Sequence, residues 1–134
     1  MQMKSVLVVE DDQDILENVV IALNIAGYPT HAAENGKLAL RFLYQVPEQD
    51  LPGCILLDLM MPEMNGFEFI EHLQMEKIFK IKKIPIIIMS AKDNLSYFIK
   101  EKPEYDVLKK PFELEQLYSV VKKYCLIPEK IQHA

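Results

Sequence analysis

Five apolar runs of strand length, separated by segments of helical period, constrain this chain of 134 residues more than any other feature. The runs are residues 5–9, 29–33, 54–57, 84–89 and 105–108. Between them Leu16, Val19, Val20 and Leu23 share one helical face, as do Leu38, Phe42 and Leu43, then Phe67, Ile70 and Leu73, and finally Leu114, Leu117, Val121 and Tyr124. A weaker helix is predicted over 93–102, with Leu95, Phe98 and Ile99 as its apolar side. Near-continuous apolar strands alternating with helices indicate a parallel sheet covered on both faces, an α/β doubly wound domain. A single domain over 1–134 is predicted, with a polar loop at 47–53 and a frayed tail at 128–134.

The run ILLDLMMPEMNG, residues 55–66, then poses a problem, because Asp58 lies between Ile55–Leu57 and Leu59–Met61. A buried carboxylate costs several kcal/mol unless it is solvated, paired or neutralised. In an open α/β sheet, function gathers at the carboxyl ends of the strands. The five strand ends here carry, in chain order, Glu10-Asp11-Asp12, Glu34-Asn35-Gly36, Asp58, Ser90-Ala91 and Lys109-Lys110-Pro111. Taken singly, these are ordinary turn and cap residues. Together, four of the five strand ends deliver charge or hydroxyl to one edge.

If the first and third strands are neighbours, Glu10, Asp11 and Asp58 converge. Like charges about 4 Å apart repel by roughly 4 kcal/mol per pair at an effective dielectric near 20. One lysine does not offset three carboxylates, whereas a hard divalent ion such as Mg²⁺, or Mn²⁺, suits oxygen donors. A metal beside a carboxylate, with a lysine and a hydroxyl at hand, fits phosphoryl transfer, with Asp58 as an already ionised nucleophile.

These residues resemble the receiver domain of two-component response regulators, over nearly the whole chain. VLVVEDD at 6–12 is similar to the family's first strand and acidic pair, and LLDLMMPEMNG at 56–66 to its phosphoacceptor strand and loop. IPIIIMSA at 84–91 is similar to its fourth strand and switch hydroxyl, and LKKPF at 108–112 to its lysine-proline signature. The resemblance implies a five-stranded parallel sheet in the order 2-1-3-4-5, a flavodoxin-like and CheY-like sandwich. It makes Asp58 the aspartate phosphorylated from a kinase phosphohistidine. Glu10 and Asp11 become the Mg²⁺-holding pair, Asp11 directly and Glu10 through water, and Met60 offers its backbone carbonyl. Ser90 matches the switch hydroxyl, and Lys110, joined to Pro111 by an implied cis bond, matches the conserved lysine.

The same resemblance implies a signalling switch rather than an enzyme. It would act through the fourth helix, fifth strand and fifth helix, and meet a sensor histidine kinase or phosphotransfer protein on one side and a downstream protein or output domain on the other. Departures fall on that face: Val107 stands where an aromatic residue is common, Tyr105 lies two residues earlier, and Pro103-Glu104-Tyr105 replaces the usual glycine-alanine lead. Met60, two residues after the acceptor, cannot position water, and Lys92, two after Ser90, screens the phosphoryl group, so slow self-dephosphorylation is predicted. An aspartate-nucleophile phosphatase would carry a second aspartate where Met60 stands. A pseudo-receiver would lack part of the set Glu10, Asp11, Asp58, Ser90 and Lys110.

Charge and cysteine content narrow the remaining classes. Residues 1–71 carry 12 acids and 3 bases, net −9, and the remainder 8 acids and 12 bases, net +4, with the lysines dispersed. KIFKIKK at 77–83 therefore reads as a solvated helix end and loop, and no nucleic-acid contact is predicted. The apolar runs are too short for a membrane span or signal peptide, so the cytoplasm is the expected compartment. Cys54 and Cys125 read as buried small hydrophobes rather than a disulfide or metal pair, His72 as a surface residue, and the methionines at 60, 61, 64 and 75 as core and loop filler.

Overall fold

The computed structural model describes residues 2–91, 100 and 104–127. Strands β1 (Val6–Val9), β2 (Thr30–Ala33), β3 (Cys54–Asp58), β4 (Ile86–Ala91) and β5 (Asp106–Lys110) form one parallel sheet in the order β2-β1-β3-β4-β5. This is the predicted 2-1-3-4-5 order. It puts β1 beside β3, with Val9 opposite Leu57, so Glu10 and Asp58 leave the sheet side by side.

Helices α1 (Gln13–Ile25), α2 (Gly36–Gln45), α3 (Gly66–Gln74) and a C-terminal helix (Leu114–Cys125) cover the sheet. Alternate strand residues feed two separate cores. Leu7, Val9, Ile55, Leu57, Ile86 and Ile88 pack toward α2 and α3, while Val6, Val8, Cys54, Leu56, Ile87 and Met89 pack toward α1 and the C-terminal helix. With both faces covered, every residue of β1 and β3 is buried, so these strands read as unbroken apolar runs rather than alternating ones.

Helix phase is where the sequence reading needs correction. On α3 the fully buried aromatic is Phe69, while Phe67 lies at the rim. Asn65 and Glu68 form a reciprocal capping box that fixes the helix start, and the inward stripe becomes Gly66, Phe69, Ile70 and Leu73. On α2 the stripe is Gly36, Ala39, Leu40 and Leu43, leaving Leu38 exposed, and on the C-terminal helix it is Leu117, Val121 and Cys125, leaving Leu114 outside.

Strand ends also shift. β4 begins at Ile86 rather than 84 and runs on to Ala91, because Ser90 and Ala91 pair with Lys109 and Lys110 of a β5 that extends beyond 108. Within KIFKIKK, Phe79–Lys82 makes a separate helical turn that buries Ile81. A short antiparallel ladder, Gln2–Met3 with Leu126–Ile127, ties the two ends of the described chain together. Lys92, the tail at 128–134 and, residue 100 apart, the helix predicted over 93–102 lie outside the described residues.

Phe69 anchors the core between α3 and the sheet. Phe69→Ala should lower unfolding free energy by about 3–5 kcal/mol in urea denaturation. Phe67→Ala, at the rim, should cost less than about 1.5 kcal/mol.

Candidate functional site: an acidic cleft at the carboxyl edge of the sheet

Chain direction builds the site. β1 ends in Val9, and Glu10 comes next as a fully buried carboxylate whose backbone N–H donates to the Ala33 carbonyl of β2 at 3.0 Å. The Asp12 N–H donates to Glu10 Oε2 at 3.3 Å. Asp12 itself points away, accepting from Asp14 and Ile15 N–H at 3.0 and 3.1 Å as the α1 cap. Asp58 closes β3 and is 5% exposed, so the sheet edge holds it almost out of water. The Met60 N–H donates to Asp58 Oδ1 at 3.3 Å.

The exit from β3 is tightly packed. A β-carbon on Gly66 would sit 2.6 Å from the Asp58 carbonyl oxygen and 2.7 Å from Leu59 Cα, so only glycine lets α3 begin this close. Its N–H donates to the Leu59 carbonyl at 2.9 Å, holding the loop back against the strand. The Asn-Gly pair is visible in the sequence; the closeness of the approach is not.

Glu10, Asp11 and Asp58 converge, with one carboxylate oxygen from each within 4.8 Å of the others. Lys110 reaches across from β5, forming an ion pair with Glu10 and standing 3.7 Å from Asp58 Oδ2. Among the described residues, one cation thus faces three carboxylates. Burial, then contact with Asp58, pushes the Glu10 carboxyl above its usual range against the opposing pull of Lys110. Asp11, at the exposed mouth, is likewise raised, by desolvation and by its hydrogen bond with Glu10.

Ser90 completes the edge. It is 1% exposed, and its hydroxyl has no hydrogen-bond partner within the described structure. An unpartnered buried hydroxyl costs about 1–3 kcal/mol, so the packing around Ser90 holds its hydroxyl there at a cost. Three clustered oxygen donors with one lysine suit a hard divalent cation rather than a soft one.

The match to the response regulator receiver domain runs over residues 6–122. The chain belongs to the response regulator receiver family. It is 32% identical over 114 residues to the response regulator MprA of Mycolicibacterium vanbaalenii, covering 84% of this chain and 46% of that protein. It is 31% identical over 135 residues to the transcriptional regulatory protein YrkP of Bacillus subtilis, covering 93% and 52%. This receiver chain therefore spans about half the length of those relatives. Among solved structures, the Vibrio cholerae chemotaxis protein CheY4 superposes with a TM-score of 0.76 at 28% identity, covering 91% of this chain and 98% of that one. The signal receiver domain of a histidine kinase from Syntrophus aciditrophicus gives 0.78 at 26%, covering 98% and 96%.

The structure brings Glu10, Asp11, Asp58, Ser90 and Lys110 of this receiver to one edge. Lys109 is exposed, and the Lys110-Pro111 bond is cis. Met60 has its side chain 55% exposed beside the cleft. Val107 pairs with Ile88 and packs, as Tyr105 does, against the α2–α3 core.

Because both carboxyl shifts are upward, the metal-free folded cleft binds protons more tightly than the unfolded chain. Its contribution to stability is fully present below the ordinary carboxylate range and is lost as pH rises through the raised values. Asp11→Asn removes one of the repelling charges. With solvent screening at this exposed position, it should raise the metal-free melting temperature by only about 2–5 °C near pH 7.5. The gain should shrink toward zero near pH 4 in melts followed by circular dichroism.

Proposed function

We propose that this receiver is a phosphorylation-dependent switch that takes a phosphoryl group onto Asp58 from a phosphohistidine of a sensor kinase or phosphotransfer protein. The observation that supports this most is the convergence of three carboxylates and Lys110 beside a buried, unpartnered Ser90 hydroxyl. Neither a solvated turn nor a packed core accounts for that combination.

In this reading an Asp58 carboxylate oxygen attacks the phosphorus. A P–O bond forms, the donor's P–N bond breaks, and the electron pair leaves with the imidazole. Asp58 needs no general base, since it attacks as an anion. The Met60 N–H on Oδ1 holds the carboxylate in one orientation. Glu10, Asp11, Asp58 and the Met60 backbone carbonyl would hold Mg²⁺, which when bound supplies positive charge to the cleft and to phosphoryl oxygens. Lys110 is shared between Glu10 and Asp58 in the unmodified protein and is free to transfer to a phosphoryl oxygen. Ser90 donates its hydroxyl proton to another phosphoryl oxygen, satisfying the orphaned group.

The modification therefore stabilises one arrangement of β4 and β5 over another, and that difference is what a partner reads. Val107, beside Ile88 on the strand next to Ser90, couples this shift to the core through packing rather than through an aromatic side chain. The switching surface comprises β5, the C-terminal helix and the segment between β4 and β5. Its output is a downstream protein or a further domain, and it binds neither nucleic acid nor membrane directly. Its proposed place of action is the cytoplasm; among the described residues no helix is long and apolar enough to cross a membrane.

Incubation with Mg²⁺ and acetyl phosphate, with intact mass as the readout, tests this reading. One phosphoryl adduct is expected, absent without Mg²⁺ and absent in Asp58→Ala. No adduct in the parent protein would favour a pseudo-receiver, and turnover of phosphate esters a phosphatase. Adduct lifetime is expected to be long, with Lys92 as a screen and Met60 unable to orient water. Met60→Asn supplies one water-orienting hydrogen bond, and should speed loss of the adduct about tenfold.

A further inference from the structure

Two cysteines separated by 71 positions meet at the edge of the sheet opposite the acidic cleft. Cys54 opens β3 and Cys125 closes the C-terminal helix. Both are fully buried and unlinked, with their sulfurs 3.3 Å apart. A disulfide needs about 2.05 Å between sulfurs, so small side-chain rotations would close the gap.

We propose that Cys54 and Cys125 are a redox modification site, forming a reversible intramolecular disulfide when a hydroperoxide reaches the amino edge of the sheet. The surroundings favour Cys125 as the attacking sulfur. Its sulfur lies against Gly53, where an added β-carbon would sit 2.9 Å from Sγ. Gly53 in turn lines a cavity of about 540 Å³ together with Lys4, Glu48, Lys80 and Pro85. Contact with Cys54, assisted by Lys4, holds the Cys125 thiol below its ordinary range, while the same contact and burial push Cys54 upward.

The chemistry balances with the peroxide as the sole oxidant. The Cys125 thiolate attacks one peroxide oxygen, the O–O bond breaks, and hydroxide leaves as water after taking a proton, giving a sulfenic acid. The Cys54 sulfur then attacks that sulfur, the S–O bond breaks, and a second water leaves with the Cys54 proton. Two thiols and one hydrogen peroxide thus give one disulfide and two waters. The crosslink ties the strand that carries Asp58 to the helix that comes after Lys110, closing a long loop without entering the cleft.

The test is mild hydrogen peroxide treatment of the reduced, folded full chain, then denaturation, alkylation, intact mass and non-reducing peptide mapping. The expected result is joint loss of both alkylatable thiols, a mass two hydrogens lower, a peptide joining residues 54 and 125, and reversal by dithiothreitol. The oxidised protein should melt about 5–10 °C higher, and Cys125→Ser should abolish that rise. Retention of both thiols, added oxygen without a crosslink, crosslinks only between chains, or a crosslink formed only in denaturant would each overturn the proposal. The peptide map needs no variant, so misfolding of Cys125→Ser leaves the test intact.

Discussion

Repulsion among Glu10, Asp11 and Asp58 is the constraint around which this receiver is organised. Three carboxylates within 4.8 Å of one another would be intolerable in a uniformly buried strand, and a single strand end supplies no remedy. The parallel sheet supplies it by aligning all five carboxyl ends on one edge. There Lys110 arrives from β5, backbone N–H groups of Asp12 and Met60 contribute hydrogen bonds, and Asp11 opens to solvent. The apolar residues of β1 and β3 make the floor rigid, so the charges have little freedom to separate. Electrostatic strain is therefore built into the resting state.

Two cores, one on each face, divide the work of holding that edge. The α2–α3 side fixes the loop after Asp58 through Gly66 and the Asn65–Glu68 capping box. The other side carries α1 and the C-terminal helix, with Tyr118 donating from its hydroxyl to the Ala22 carbonyl at 2.9 Å. The Val107 and Tyr105 positions pack on the α2–α3 side, as does Ile88, two residues before Ser90 on β4. The chain spans about half the length of relatives such as MprA.

Much of this is legible in the sequence, for identifiable reasons. Asp58 stands out because period and polarity disagree there, and Glu10, Asp11, Ser90 and Lys110 each come after an apolar run long enough to be a buried strand. Phe69 escapes such a reading for a different reason: at helical spacing Phe67 and Phe69 compete for the inward stripe, and only the capping box settles the phase. The extension of β4 through Ala91 depends on its partner β5, a long-range pairing that local propensity does not contain. Likewise nothing local in either sequence neighbourhood brings Cys54 to Cys125, because their meeting is a product of the whole topology.

Charge repulsion as the organising constraint is tested most directly by calorimetric titration of the unphosphorylated protein with Mg²⁺, alongside Asp58→Asn and Asp11→Asn. Saturable binding of one ion per chain, weakened in both variants, is the predicted result. Binding that is absent, or unchanged when either carboxylate is removed, would contradict it.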